Sequence, residues 1–249
     1  MPTKRFDEEI YNQDNVIVEE AYSFLKANIS FHNSGKTLRS LSILSCNPAE
    51  GKTTTAINLA ISFVRSGVKV LFVDTDLRKP IAAKRLGGDN YEGLSDVLTK
   101  NKSLDDVIMS TNIQNLYYLP SGLKVSYPAE LLSSDAFNRF LKDTAERFEL
   151  TILDTPALSS VIDATVVASK SDASILVIKS GKVKLSKLQR VKESLQKANV
   201  NVLGAVLNVV DKSEYRKHLE AYDYFKDESR FLKISRHYKY KDRAYHCQY

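Results

Sequence analysis

Three consecutive residues, Gly51, Lys52 and Thr53, have the properties that phosphate binding needs. A glycine lets the backbone approach a phosphate closely, a lysine can reach the β- and γ-phosphates of a nucleotide, and a threonine hydroxyl can hold Mg²⁺. These residues follow an apolar run that ends at Ser45 and open a helical pattern, so backbone amides and a helix dipole would face the same anion. The usual spacing has a further glycine where this chain has Cys46. The predicted nucleotide-binding residues are Pro48, Ala49, Glu50, Gly51, Lys52, Thr53 and Thr54.

Carboxylates follow two apolar runs farther along the chain. Asp74 and Asp76 come after one run, and Asp154 comes after the next. Ligands of open α/β sheets bind at the carboxyl ends of the strands, where nucleotide chemistry needs carboxylates to hold Mg²⁺ and to orient the attacking group. A strand-terminal aspartate alone is commonly the cap of the next helix. Two such positions in a chain that also has Gly-Lys-Thr favour a nucleotide site.

The stretch 208–211 bears on which base is bound. A GTP site usually carries Asn-Lys-x-Asp after a late strand, and its aspartate reads the guanine edge. Here the stretch is Asn-Val-Val-Asp, without the lysine. We therefore predict that the nucleotide is ATP and that Asn208 contacts adenine.

Strand and helix patterns alternate along the chain, which predicts right-handed crossovers and no hairpins. The fold class predicted is α/β, a P-loop NTPase with a mostly parallel central sheet and helices on both faces. Continuous apolar runs are typical of strands buried on both sides. The predicted strands are 41–45, 68–74, 115–122, 149–154, 173–179 and 201–210. The predicted helices are 18–31, 53–65, 93–98, 103–109, 129–148 and 184–198.

Length and composition indicate a globular protein of 249 residues with a net charge of +6. No apolar stretch approaches the roughly 18 residues of a membrane-spanning helix, and the N-terminus has no secretory signal, which predicts a cytosolic location. The two cysteines have no metal-binding spacing. We predict a flexible N-terminus over 1–17, one catalytic domain over 18–211 and a disordered tail over 212–249.

The tail contains seven of the chain's 13 tyrosines, surrounded by charged residues, and a hydrophobic core cannot explain them. It has ten Lys or Arg against six Asp or Glu, which favours an anionic surface or plain solvation equally. The tail tyrosines are Tyr215, Tyr222, Tyr224, Tyr238, Tyr240, Tyr245 and Tyr249.

Together these motifs resemble the bacterial tyrosine kinases of capsule and exopolysaccharide biosynthesis. That family has a Walker A motif of the form S-x-x-P-G-x-G-K-[ST]. Its Walker A′ motif, D-x-D-x-R, and its Walker B motif, D-x-P, each follow hydrophobic residues. The chain of a family member ends in a tyrosine cluster. Here the three motifs are SCNPAEGKT at 45–53, LFVDTDLR at 71–78 and TILDTP at 151–156. The resemblance covers nearly the whole chain.

The resemblance implies ATP-dependent phosphorylation of the tail tyrosines of a neighbouring copy. Lys52 would bind the phosphates, Thr53, Asp76 and Asp154 would hold Mg²⁺, and Asp74 would position the tyrosine hydroxyl as a base. It also implies a homo-oligomer when unphosphorylated, a cognate tyrosine phosphatase, and a membrane-embedded activator or chain-length regulator that recruits the cytosolic chain to the inner face of the membrane.

The chain departs from the family pattern at two places. Ala49 stands where the family usually has glycine, so a positive φ there would weaken nucleotide binding. The family's E-x-x-R-x-x-R motif, linked to ring-shaped self-association, here has Glu20, Ser23 and Lys26. Neither serine nor lysine replaces the arginine fork, which leaves ring formation open.

Two other functions stay open. A switch ATPase of the septum-positioning or partitioning type shares the deviant Walker motifs but carries a signature lysine, where this chain has Asn47. A nucleotide-gated regulatory partner of a membrane polysaccharide machinery is the second. Nucleic-acid binding by the tail is disfavoured, since no organised basic groove accompanies it. Arg78 and Lys79 suit a contact with phosphate or with an acidic partner, and equally an ordinary surface loop. The lysine-rich stretch 182–197 suits a solvated helix face.

Overall fold

A computed structural model describes residues 3–4, 16–32, 37–78 and 92–211. The chain separates into two units, Met1–Asn208 and Val209–Tyr249. The seven tail tyrosines, Lys79 and most of the predicted flexible N-terminus lie outside the described residues, so the predictions for them are not tested by the structure.

The described residues form one eight-stranded sheet with the strand order β1-β4-β5-β3-β6-β2-β7-β8. This sheet is parallel at every pairing except one, as the alternation of strands and helices predicts. The strands are β1 (Thr3–Lys4), β2 (Ser40–Ser45), β3 (Val70–Asp74), β4 (Met109–Thr111), β5 (Leu116–Leu119), β6 (Leu150–Asp154), β7 (Ala173–Lys179) and β8 (Val202–Asn208).

Helices cover both faces of the sheet. Alternate side chains of β3 enter opposite cores: Val70 and Phe72 pack in the core that includes α1 and α2, and Leu71 and Val73 pack in the core that includes α3 to α6. A third cluster joins α7 and α8 to Leu44 and Cys46. The helices are α1 (Val16–His32), α2 (Lys52–Arg65), α3 (Leu94–Leu98), α4 (Leu104–Val107), α5 (Pro128–Ser133), α6 (Asp135–Arg147), α7 (Asp163–Lys170) and α8 (Leu185–Lys197).

The prediction that no strands are joined by a hairpin is wrong at β4 and β5. These strands pair antiparallel, with Met109 opposite Tyr118 and Ser110 opposite Tyr117. The turn between them is held by the Thr111 hydroxyl, and Asn115 has a φ of 66°, a conformation that asparagine tolerates well. The apolar run 107–109 was compatible with the end of a helix, but α4 stops at Val107 and Met109 begins a strand.

The predicted helix 129–148 is two helices, α5 and α6. Ser134 between them is extended, with φ −66° and ψ 164°, and its hydroxyl donates to the Leu131 carbonyl at 2.6 Å. Lys170 reaches the same break and donates from Nζ to the Ser133 and Ser134 carbonyls. A lysine distant in sequence therefore donates to carbonyls that have no partner within the interrupted helix. Local periodicity cannot predict such a contact.

Besides β4, two elements have no counterpart in the sequence prediction. Helix α7 is short and buries Ala164, Val167 and Ala168, a face too small to give a clear period. Strand β1 lies within the segment predicted to be flexible and pairs parallel with β4. None of the helices in the described residues has the length and apolarity that crossing a bilayer requires.

Candidate active site

The phosphate loop lies between β2 and α2, at the carboxyl edge of the sheet. Residues 46–51 connect the last residue of β2 to Lys52, the first residue of α2. Gly51 is the N-cap residue of α2 and has no side chain with which to accept from the amides of the first turn. Phosphate oxygens are suited to that role, because they match both the amides and the positive end of the helix dipole. Lys52, Thr53 and Thr54 therefore lie where the sequence predicts them, in the first turn of α2.

Two residues of the loop have left-handed backbone conformations, Ala49 with φ 59° and Gly51 with φ 89°. Glycine adopts such conformations at no cost, whereas a Cβ atom makes them unfavourable by roughly 1–2 kcal/mol. The sequence predicts weaker nucleotide binding if Ala49 has a positive φ, and the structure shows that it does. The weaker nucleotide binding expected from it stays a prediction.

Glu50 points into the protein and organises the loop. Its side chain is only 2% exposed, and its carboxylate accepts hydrogen bonds from the Asn47 backbone amide at 3.1 Å and from Asn47 Nδ2 at 2.8 Å. Lys187 of α8 donates from Nζ to Asn47 Oδ1. The Glu50 side chain thus stabilises the loop through its bonds to Asn47. Only the backbone of Glu50 would face a bound phosphate.

Asn208, at the end of β8, also holds the loop. Its Nδ2 donates to the Glu50 carbonyl at 2.9 Å, and a Cβ atom added to Gly51 would lie 2.0 Å from the same nitrogen. Gly51 is therefore required twice, by its φ and by the close approach of Asn208. The predicted adenine contact of Asn208 stays a prediction, but the structure gives this residue a second role in fixing the loop.

The carboxylates predicted for the metal and the base meet the loop from the neighbouring strands. Thr53 Oγ1 donates to Asp154 Oδ2 at 2.6 Å, which joins α2 to the end of β6. Asp74 lies directly opposite Asp154 in the parallel pairing of β3 and β6, and the two residues are 2% and 5% exposed. Two buried carboxylates and a threonine hydroxyl thus lie next to a helix N-terminus that begins with a lysine.

This donor set fits Mg²⁺ in one particular way. The described residues contain no group of three or more His, Cys, Asp or Glu side chains that could hold a metal ion by themselves. Mg²⁺ in phosphoryl-transfer sites is typically bound by one or two carboxylates, with substrate phosphates and water as its other ligands. The Thr53 hydroxyl and the Asp154 carboxylate suit that kind of site, since both supply hard oxygen ligands.

Asp76 and Arg78 continue from Asp74 and tie this region to α7. Asp76 Oδ1 accepts from the Arg78 amide at 3.1 Å. Arg78 makes a two-pronged ion pair with Asp163, from Nε at 2.7 Å and from Nη2 at 3.0 Å. The hydrogen bond to Asp163 raises the pKa of the Arg78 guanidinium above its usual value. The acidic partner among the alternatives for Arg78 is therefore Asp163 of the same chain, and Arg78 itself is exposed on the loop after β3.

Hydrogen bonds hold the loops after β2, β3 and β6 against one another. The Thr75 hydroxyl donates to the Asp154 carbonyl at 2.7 Å, and the Thr155 hydroxyl donates to the Ile43 carbonyl at 2.7 Å. The amides of Leu158 and Ser159 donate to the carbonyls of Ser45 and Cys46. Buried threonine hydroxyls thus fix the relative positions of the three loops, and with them the distances among the functional groups.

Cys46 replaces the first glycine of the usual loop and is buried beneath it. Burial raises the pKa of the Cys46 thiol, the nearby Glu50 carboxylate raises it further, and Lys187 lowers it. The thiol is therefore protonated at neutral pH, and we assign it a packing role in the core cluster with Leu44 and Ala168.

Sequence reasoning missed two residues of this region, Lys187 and Asp163. Lys187 lies in a lysine-rich helix whose spacing gives no sign that one ammonium contacts the loop. Asp163 begins α7, and its proximity to Arg78 depends on a tertiary contact between residues 85 positions apart. Asp at the start of a helix was the available signal, but many such residues are only caps.

Comparison with known proteins decides the family. A family model described as an AAA domain matches residues 39–206. The chain is 36% identical to the tyrosine-protein kinase YwqD of Bacillus subtilis over 213 residues, which cover 86% of this chain and 88% of that protein. The chain belongs to the bacterial tyrosine kinases. Its P-loop NTPase fold and its activity as a protein-tyrosine kinase follow from this membership.

Two solved structures with P-loop folds differ in how closely they resemble the kinase. The crystal structure of the chimerical protein CapA2B2 covers 85% of the kinase with 30% identity and a TM-score of 0.77, and 94% of that chain is matched. The septum site-determining protein MinD of Pyrococcus horikoshii, in complex with Mg-ADP, covers 68% of the kinase and 69% of its own chain, with 28% identity and a TM-score of 0.58. The kinase therefore shares its nucleotide-binding fold with the switch ATPases but resembles the first structure more closely.

Proposed function

We propose that this kinase transfers the γ-phosphoryl group of ATP, with Mg²⁺, to tyrosines in the tail of a second copy of the chain. One observation carries the proposal. Thr53 of the phosphate loop and Asp154 of β6 are joined at 2.6 Å, directly beside Asp74. This arrangement brings a metal-binding pair next to a further buried carboxylate, and phosphoryl transfer to a hydroxyl needs both.

Each residue has a defined role in the proposed reaction. Lys52 binds the β- and γ-phosphates and balances their charge, and the first-turn amides of α2 hold phosphate oxygens. Thr53 and Asp154 hold Mg²⁺, which supplies charge stabilisation to the transferring phosphoryl group, and Asp76 contributes to the same ion through water. Asp74 accepts the hydrogen bond of the tyrosine hydroxyl, because a phenol with a pKa of about 10 stays protonated at neutral pH. Pro48 and Ala49 contribute backbone to the loop, and Asn208 contacts adenine while holding the loop.

The acceptors proposed are the seven tail tyrosines, from Tyr215 to Tyr249. The unphosphorylated kinase forms a homo-oligomer in which the tail of one copy reaches the site of another, and a cognate tyrosine phosphatase reverses the modification. Lys26 of the altered E-x-x-R-x-x-R motif donates to the Ser62 carbonyl within its own chain at 3.5 Å. We therefore propose that contacts other than a Glu–Arg ladder on α1 hold the oligomer together.

The cellular role proposed is control of capsular or extracellular polysaccharide synthesis and export. A membrane-embedded activator or chain-length regulator would recruit the cytoplasmic kinase to the inner face of the membrane. The similarity to the CapA2B2 chimera, a fusion protein, supports a partner of this kind.

Site mapping of phosphotyrosine tests the proposal. The purified full chain is incubated with Mg-ATP, with and without the cytosolic segment of the suspected activator, and modified residues are located by mass spectrometry. We expect phosphate on tail tyrosines that depends on Mg²⁺ and increases with the activator. ATP hydrolysis without any phosphotyrosine, in the presence of the activator, would instead favour the switch-ATPase function.

A further inference from the structure

A basic groove lies beside the phosphate loop and outside the residues assigned to catalysis. It has a volume of about 650 Å³ and opens between α8, the loop after β6 and the loop after β7. We call it the α8 groove. Its lining residues are Asn47, Leu158, Thr165, Lys182, Val183, Lys184, Ser186, Lys187, Arg190, Val191, Ser194 and Leu195.

The chemistry of the α8 groove suits an acidic ligand that also has apolar side chains. Lys182, Lys184, Lys187 and Arg190 give it four cationic groups, and its lining residues include no aspartate or glutamate. Apolar side chains of the lining, Leu158, Val183 and Val191 among them, pack against a buried cluster and form a floor. The lysine-rich stretch 182–197 is thus more than the solvated face that its sequence suggests, since four of its cations are gathered around one cavity.

One lysine connects the groove to the phosphate loop. Lys187 is half-buried and donates to the Asn47 side chain, which in turn is bonded to Glu50. On the opposite wall, the Leu158 amide donates to the Ser45 carbonyl at the end of β2. A peptide in the groove would therefore lie directly against the loop that holds the nucleotide phosphates, while Lys52, Asp74 and Asp154 stay outside the groove lining.

The chain itself contains a segment of complementary charge. Residues 219–228, LEAYDYFKDE, have four acidic residues and one lysine, together with Tyr222, Tyr224 and Phe225. The rest of the tail is basic: residues 236–245, RHYKYKDRAY, have four Lys or Arg and one Asp around three tyrosines. Complementary charge speeds association and suppresses wrong partners, so the groove discriminates between these two parts of the tail.

We propose that the α8 groove docks residues 219–228 of a second copy of this chain and so presents Tyr222 and Tyr224 beside the active site. The inference rests on the proposed function only in that Tyr222 and Tyr224 are then phosphorylated; docking itself does not require it. Each phosphate adds a charge of about −1.5 to −2, so phosphorylation of the docked segment strengthens its attraction to the four cations. The groove consequently binds both the substrate segment and, more tightly, its phosphorylated form.

Binding of synthetic peptides to the full chain, measured by fluorescence anisotropy without nucleotide, tests the proposal. The three peptides are 219–228, the same peptide phosphorylated at Tyr222 and Tyr224, and 236–245. The groove variant is Lys184→Glu/Arg190→Glu, and the matched control is Lys192→Glu/Lys197→Glu, which makes the same change in net charge on α8 away from the groove lining. The chain's own segment competes alike in the parent and the control and less in the groove variant, so weaker peptide binding by that variant cannot result from competition.

We expect peptide 219–228 to bind the parent and the control alike, and its phosphorylated form to bind both more tightly. The basic peptide 236–245 should bind more weakly, at the acidic active site, and equally in all three proteins. The groove variant should bind the acidic peptide at least about tenfold more weakly, because two attractions become repulsions. Equal binding of the acidic peptide by the groove variant and the control, or equal binding of the acidic and basic peptides, would overturn the docking site. No phosphoryl transfer occurs in this measurement, so its outcome is independent of whether the chain phosphorylates tyrosine.

Discussion

Ala49 has a φ of 59° in the phosphate loop, at a position where glycine would have no strain. Replacing Ala49 by glycine should therefore stabilise the fold by about 1 kcal/mol and tighten nucleotide binding. Chemical denaturation and a nucleotide titration measure the two effects. Lys100→Gly is the matched control, because Lys100 has a φ of 62° but follows α3, away from the loop. The control should gain stability without any change in nucleotide affinity; a loss of affinity in Ala49→Gly would show that the alanine side chain contributes to binding.

Asn208 holds the loop through a hydrogen bond to the Glu50 carbonyl, and this bond gives a prediction that separates its two roles. Asn208→Ala should weaken binding of inorganic tripolyphosphate roughly fivefold, since one such bond contributes about 1 kcal/mol, and should weaken binding of ADP further, because the adenine contact is also lost. Calorimetric titrations of both ligands provide the measurement. A loss confined to ADP would mean that Asn208 only reads adenine. Asn201→Ala removes a comparable bond, 2.8 Å to the Asp172 carbonyl, and should leave both affinities unchanged.

The candidate site residues could largely be predicted from the sequence, since Gly-Lys-Thr and the strand-terminal aspartates are local patterns. The residues that contact them could not be predicted. The inward turn of Glu50, the contact of Lys187 with Asn47 and the bond from Asn208 each join residues that only the fold brings together. Sequence therefore identifies the groups that could do the chemistry, whereas the structure identifies the groups that hold them in place.

At the scale of elements, the Arg78–Asp163 pair ties the loop after β3 to α7, and its two partners differ in burial. The side chain of Asp163 is 1% exposed and that of Arg78 is 41% exposed. Arg78→Met leaves a buried carboxylate without its counter-ion and should lower the free energy of unfolding, while Asp163→Asn frees a guanidinium that water can reach and should lower it less. Urea denaturation of the two variants tests this order.

The pair Arg147–Asp105 is the control for that comparison. It is equally short, at 2.6 Å, but both side chains are exposed, so Arg147→Met should cost no more than about 1 kcal/mol. If Arg78→Met were as mild as Arg147→Met, the pair would not be what joins the loop after β3 to α7.

Element prediction succeeded where burial was uniform and failed where a specific side-chain hydrogen bond interrupted the pattern. Strands β3, β6 and β7 are continuous apolar runs covered on both faces, and their predicted positions are confirmed to within two residues. The break between α5 and α6 and the β4–β5 hairpin depend on Lys170 and on the Thr111 hydroxyl, whose contacts no local period indicates. The predicted mostly parallel sheet is thus confirmed, and the expectation of no hairpins is wrong at β4 and β5.

For the whole molecule, charge links the tail to assembly. The tail has ten Lys or Arg and six Asp or Glu, and three phosphates would already reverse that excess of positive charge. The basic part of the tail, which the acidic active site attracts, would then be repelled from that site. We therefore expect oligomers held by this contact to dissociate on incubation with Mg-ATP, although the acidic segment 219–228 stays attracted to the α8 groove. Light scattering before and after incubation measures the mass, and Lys52→Met with Mg-ATP is the control. An assembly that keeps its mass after full modification would contradict this expectation.

The central claim is that the site of one copy phosphorylates the tail of another, and mixing two variants tests it most directly. Lys52→Met has an intact tail but lacks the phosphate-binding lysine, and a variant with all seven tail tyrosines changed to phenylalanine has an intact site but no tail acceptor. Each is incubated alone and together with the other in Mg-ATP, and phosphotyrosine is then mapped by mass spectrometry. We predict phosphotyrosine only in the mixture, and only on the tail of the Lys52→Met chain. A mixture without phosphotyrosine, alongside a parent chain that modifies its own tail under the same conditions, would contradict transfer between copies.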